Sequence, residues 1–145
     1  MISVSIVQII LFIYYSLTKL VDLYPFNNIR EFSWKERFID PAYKGILLFI
    51  PPFAYTFNIK LIMLASLFIY VIILIYEIKK WWIPYLFKPS ENWLRKYDRI
   101  YKDTVTFLPP IKDNPIPTLE KVIFHLFVIA TFALSLFCYL SQFNK

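Results

Sequence analysis

The sequence predicts an all-α membrane protein: a four-helix transmembrane bundle with an amphipathic interfacial helix and a Pro-rich cytoplasmic loop. Three observations carry this. Hydrophobic residues make up 59% of the 145 residues and aromatics 21%, with a single Gly. Globular domains hold roughly 45–50% apolar residues, so a soluble chain of this size could not bury the surplus. The apolar residues fall in long runs, and mean hydropathy is +0.54. The Lys and Arg residues, which give a net charge of +6, gather between those runs. Residues 1–145 read as one multi-pass domain with spans at 2–23, 42–57, 61–82 and 119–142.

The first span, 2–23, has no charge before Lys19. At ~1.5 Å per residue it can cross a ~30 Å hydrocarbon core. It lacks the positive n-region and small-residue cleavage pattern of a signal peptide, so it reads as a retained helix. Pro25 and the Asn27-Asn28 pair end it. The loop at 24–41 carries charges together with Phe32, Trp34 and Phe38. Its stretch 29–40 is weakly amphipathic and reads as a short interfacial helix or a loop.

The second span, 42–57, has Pro51 and Pro52 in its middle. Proline removes a donor and clashes with the preceding turn, so this site reads as a helix break. The segment is either a kinked span or a re-entrant segment. Irregular backbone at membrane depth must be buried in protein or line a water-filled cavity, which marks the Pro pair as a feature of interest. The third span, 61–82, is rich in Ile, Leu and Val and ends in Lys79, Lys80, Trp81 and Trp82. Aromatics beside snorkelling cations mark a membrane–water interface.

The loop at 83–118 follows. Ser90 offers an N-cap for a helix over 91–102. Trp93, Tyr97, Ile100 and Tyr101 share one face of it, and Arg95, Arg99 and Lys102 another. That pattern suits a helix lying in an interface or packed on the ends of the bundle. Pro109, Pro110, Pro115 and Pro117 make the remainder extended. Thr118 is a good N-cap for the fourth span, with Glu120 in its first turn. Along 119–142, Thr131, Ser135 and Cys138 make a stripe of small, weakly polar residues, the usual seam between helices in lipid.

Four spans put both basic loops on one side and leave Lys60 and Lys145 on the other. The positive-inside rule then makes the loops cytoplasmic and both termini external. A re-entrant second segment would split the loops between two sides, so the charge distribution favours a crossing.

Glu77, Glu120, Lys121 and His125 fall near the cytoplasmic ends of the third and fourth spans. They form a candidate polar site, or an ion-pair cluster that ties helix ends together. Lys79, Lys80, Trp81, Trp82, Trp93, Arg95, Tyr97 and Arg99 form a candidate lipid- or partner-binding group, with simple interfacial anchoring as the structural alternative.

Catalytic motifs are absent. A single Gly excludes phosphate-cradling loops, and neither H-E-x-x-H nor G-x-S-x-G occurs. One Cys and one His cannot build a Cys/His metal centre, and no cofactor is expected. The interiors of the first and third spans lack ionisable groups, which argues against an ion-driven pump.

The stretch WWIPYLFKPSENWLRKYDRIY and the following LPPIKDNPIPTLEKVIFH resemble a family of small, functionally uncharacterised bacterial multi-pass membrane proteins. The likeness rests on the double Trp, the Pro-Tyr, the Tyr-Asp-Arg and the Asn-Pro-x-Pro before the last helix. It implies a cell-membrane location and transfers no catalytic residue. The leading expectation is a non-enzymatic accessory or interaction subunit that packs with a membrane protein or a second copy of itself. The alternative is a small-molecule or lipid-handling protein, a transporter or membrane enzyme, with its polar site at the helix ends. The lipid bilayer is the expected environment, and nucleic acid is not a partner.

Overall fold

Apolar side chains with few breakers make helices the only regular structure this chain forms. The computed structural model describes residues 2–142, so Met1 and 143–145, with the charge of Lys145, lie outside it. Helix accounts for 74% of the chain, and no strand occurs among the described residues. The long helices are α1 (Ile2–Leu20), α2 (Asp40–Thr56), α3 (Lys60–Glu77) and, after two short ones, α6 (Leu119–Leu140). α4 (Ile83–Leu86) and α5 (Glu91–Ile100) lie between α3 and α6. Three helical stretches are long and apolar enough to cross a membrane: Ile2–Leu20, Lys60–Leu86 and Leu119–Leu140.

α1 ends at Leu20, three residues before the expected limit. The side chain of Asn27 explains the early stop. Its Oδ1 accepts from the Leu23 N–H at 2.7 Å, and its Nδ2 donates to the carbonyls of Thr18 and Val21 at 3.1 and 3.0 Å. These bonds replace the next helical turn.

The stretch 29–40 is neither a plain loop nor a separate interfacial helix. A 3₁₀ turn, Ile29–Glu31, is followed by a π-helical turn, Lys35–Ile39, that runs directly into α2. Ser33 and Glu36 start it as a capping box: Glu36 Oε2 accepts from the Ser33 N–H at 3.0 Å, and Ser33 Oγ accepts from the Glu36 N–H at 3.4 Å.

Pro51 and Pro52 do not break the second segment. α2 runs through both as one helix, and both side chains are buried. Prolines deprive the carbonyls of Leu47 and Leu48 of their helical donors, yet neighbouring helices hold the backbone in register. α2 ends in a turn with Asn58 at φ 56°, where Ile59 N–H reaches back to Ala54 O at 2.9 Å. Asn tolerates this left-handed position better than a branched residue.

The third span does not stop before Pro84 either. A π-helical turn, Ile78–Trp82, precedes the proline, and the helix continues to Leu86. Such a bulge absorbs the donor that Pro84 lacks.

α1 packs on α2 and α6, and α3 packs on α2 and α6, so the four long helices enclose a shared interior. At one end Thr56 donates to Ser5 at 3.1 Å. At the other, Tyr15 donates to Pro41 O at 3.1 Å and Lys19 reaches Glu120 at 3.1 Å. The two long loops therefore gather at the same end. Large apolar residues such as Ile13, Phe68, Leu126 and Phe137 are exposed, while Gln8, Ser66, Thr131 and Ser135 are buried beside an apolar core. So extensive an exposed apolar surface is consistent with a membrane protein.

The small-residue stripe of α6 is used within the chain. Ser135 Oγ accepts from Gln8 Nε2 of α1 at 2.9 Å, and Ser135 O accepts from the Tyr55 hydroxyl of α2 at 3.0 Å.

Candidate functional site

The loop end of the helices carries charges that the sequence places far apart. Glu77 closes α3. Its Oε1 accepts from Lys44 of α2, and its Oε2 lies 3.2 Å from His125 Nε2 of α6. His125 Nδ1 accepts the indole N–H of Trp82 at 3.0 Å. An indole nitrogen can only donate, so this contact assigns the ring proton to Nε2 and points it at Glu77. One turn nearer the loops, Glu120 accepts from Lys19 of α1 at 3.1 Å and from Lys121 at 2.6 Å. Ionised carboxylates buried in apolar surroundings cost several kcal/mol each unless paired. Each of these two has two basic partners.

Glu77, Glu120 and Lys121, three of the four residues singled out for a polar site, line one cavity of about 770 Å³. His125 stands behind Glu77 and does not line it. Of the charged residues in the cavity wall, sequence reasoning missed four: Lys19, Glu36, Lys44 and Lys96. The signal for Lys44 was its position inside an otherwise apolar helix, where an unpaired ammonium would be unstable.

A cap of loop residues closes the cavity on the side away from the helices. α5 begins at Ser90, whose Oγ accepts from Trp93 N–H at 3.3 Å. Its apolar face is not free for lipid: Tyr97, Ile100 and Tyr101 are buried with Trp81, and Phe32 packs against them. Trp81 meets Trp93 and Tyr101 edge-on, with ring centroids 5.2 and 4.8 Å apart. Burial pushes the Tyr101 and Tyr97 phenols up from their ordinary range. Tyr97 also donates to Ile116 O at 3.1 Å and accepts from Ile116 N–H at 3.2 Å. The proline-rich strap is tied to α4 where Tyr85 donates to Pro109 O at 2.8 Å and Asn114 donates to Tyr85 O at 2.9 Å.

Glu36 clamps the two loops together. It receives Lys96 at 2.6 Å and Arg99 at 3.0 Å. Burial alone would raise its carboxyl, but the hydrogen bonds from Lys96, Ser33 and Arg99 outweigh burial and hold it down to about 2.

The group expected to bind a lipid or partner divides. Lys79, Lys80, Trp81 and Trp93 line the cavity. Trp82 turns away to His125. Tyr97 and Arg99 hold the cap together, and Arg95 bonds Asn92 of its own helix, at 2.5 Å. Pro51 and Pro52 do not line the cavity.

The cavity wall contains six lysines against three glutamates. Lys19 and Lys121 pair with Glu120, Lys44 with Glu77, and Lys96 with Glu36. Lys79 and Lys80 form no salt bridge among the described residues. The ammonium of Lys80 instead stands 5.7 Å from the Tyr76 ring centroid and 5.9 Å from that of Trp93. The indole nitrogens of Trp81 and Trp93 are buried with no hydrogen-bond partner. No cluster of His, Cys, Asp or Glu suited to a metal ion occurs among the described residues.

No family model, curated protein or solved structure matches the chain.

Proposed function

We propose that this is a four-span membrane protein whose loop-end cavity binds a small anionic molecule, in a lipid- or solute-handling role without catalysis. One observation carries the binding role. Every glutamate in the cavity wall is already matched by lysine, and two lysines remain for a ligand. The cavity volume falls in the ~300–1,000 Å³ range of small-molecule sites.

The crossing of α2 is supported by its ends and its outer face. It has contacts at both ends of the helical group. Ile46, Phe49 and Phe53 are as exposed as the outward residues of α1. Its 17 residues span about 25 Å at ~1.5 Å each, at the lower end of the ~17–25 residues of a spanning helix. The positive-inside rule makes the loop end cytoplasmic, with both termini outside a cell membrane.

The accessory-subunit reading drew on the small-residue stripe of α6. Ser135 and Thr131 are buried inside the chain, so that stripe offers nothing to an external partner.

Native mass spectrometry of protein extracted from its own membranes tests the role. The wild type should carry an anionic adduct that Lys79→Ala/Lys80→Ala loses. Identical spectra of bare protein from both would count against it. A Cys138→Ser, Lys112→Cys chain tests the orientation. An impermeant maleimide should label it in inside-out vesicles and leave it unlabelled in intact cells; labelling in intact cells would reverse the topology.

A further inference from the structure

We infer that the anion is the phosphate head of an amphiphile taken from the surrounding bilayer, with its chain lying between α2 and α3. This rests on the binding role proposed above and adds the class of ligand and its route of entry.

The head is argued from the donors. Lys79 and Lys80 bring two ammonium groups to the cavity wall that form no salt bridge among the described residues. A carboxylate offers two oxygens and one charge. A phosphate monoester offers three oxygens and about −1.5 to −2 charge. The larger anion matches the charge of two cations; the smaller leaves one of them unmatched.

The chain is argued from the cavity's other half. Moving from the loop end toward the middle of the helices, the α3 wall passes from Lys80 to Ile73 and Ile72, and the α2 wall from Lys44 to Leu47. Ile72 is 61% exposed and Leu47 37%, on helix faces whose other residues meet lipid. The cavity therefore opens sideways where its wall is apolar. A water-soluble anion would occupy the charged half alone and leave this opening unused. An alkyl chain would fill it while keeping the apolar surroundings that it has in the bilayer. The cap leaves a sideways path for such a molecule: α5 and the Glu36 clamp cover the loop end, while Leu47 and Ile72 border lipid.

The test uses the full chain in non-ionic detergent, with tryptophan fluorescence reporting from Trp81 and Trp93. The probes are oleoyl lysophosphatidate, oleate and glycerol 3-phosphate. Lysophosphatidate should saturate the signal and bind at least about tenfold more tightly than oleate. Glycerol 3-phosphate should be weaker still. Lys79→Gln/Lys80→Gln should weaken lysophosphatidate about tenfold or more, and Lys79→Arg/Lys80→Arg, which keeps the charge and donors, should retain binding. Leu47→Trp, which fills the sideways opening, should weaken lysophosphatidate and leave glycerol 3-phosphate unchanged. If glycerol 3-phosphate binds as tightly, with the same dependence on the lysines, the amphiphile is wrong and the anion site stands. Should oleate equal lysophosphatidate, the phosphate head is wrong. If no probe's binding depends on Lys79 and Lys80 while circular dichroism shows the variants folded, the site itself falls together with the inference.

Discussion

Trp82 donates its indole N–H to Nδ1 of His125 at 3.0 Å, and this fixes which face of the imidazole meets Glu77. The contact joins the π-helical turn before Pro84 to the first turns of α6, between residues 43 positions apart. Trp82→Phe keeps the ring and deletes the donor. It should cost about 1 kcal/mol, the net worth of a typical hydrogen bond. His125→Leu should cost more, because Glu77 then loses one of its two partners. Denaturant unfolding in detergent checks both. Trp82→Phe as stable as the wild type would show that the bond does not hold the ring.

Lys44 and Glu77 join α2 to α3. Removing one member of a buried pair leaves an uncompensated charge, typically at 3–5 kcal/mol. Lys44→Met and Glu77→Met should therefore each destabilise by more than the cost of one hydrogen bond. The Lys44→Met/Glu77→Met double variant should recover most of the loss, since it leaves no buried charge at either position. The four unfolding free energies form a thermodynamic cycle. Additive losses would mean that the two groups do not interact.

The Glu36 clamp should depend on acid. Its carboxyl is held at about 2, below the ordinary 4.5, by Lys96, Ser33 and Arg99. A folded-state value below the unfolded one contributes stability that is complete above the unfolded value and is lost as pH falls through the folded one. The attachment of α5 to the 33–39 segment should thus hold from neutrality down to about pH 5 and weaken between 4.5 and about 2. Hydrogen exchange of the α5 amides reads this. Glu36→Gln should raise exchange at neutral pH and flatten its acid dependence. An unchanged acid profile in Glu36→Gln would assign the transition to another group.

Ser135 lies where three helices meet, with Gln8 and Tyr55 both bonded to it. Ser135→Ala removes only the hydroxyl and should cost about 0.6–2 kcal/mol, as interhelical bonds in lipid do. Ser135→Leu forces two methyl groups into a closed interface and should cost ~1–3 kcal/mol more. Thermal unfolding in detergent distinguishes them. Equal melting for Ser135→Leu and the wild type would mean that the interior there is loose.

Much of this architecture is legible in one dimension, because lipid imposes a simple rule on composition. Runs such as 61–76 carry no charge and can only be helices in bilayer. The face shared by Trp93, Tyr97, Ile100 and Tyr101 is legible for the same reason, since its spacing is the helical period. What escapes is pairing across long separations. Nothing near Lys44 announces Glu77, 33 positions away, or near Trp82 announces His125. The continuity of α2 through Pro51 and Pro52 escapes because a local rule for proline is overridden by burial among neighbouring helices. The Ser33 and Glu36 capping box, in contrast, is an S-x-x-E spacing visible in the sequence. The basic, aromatic 79–99 region reads as one surface, but packing divides it. Lys79, Lys80, Trp81 and Trp93 face the cavity, Trp82 braces His125, and Arg99 serves the clamp.

The most direct measurement is amine-reactive labelling of Lys79 and Lys80, with exposed Lys102 as an internal control. Rates are compared in native membranes and after detergent stripping and reconstitution into pure phosphatidylcholine. An anion seated between these lysines should protect them in the native membrane, and stripping should speed their labelling several-fold while Lys102 stays constant. Equal rates before and after stripping would mean that no ligand occupies the cavity and would contradict the proposed role.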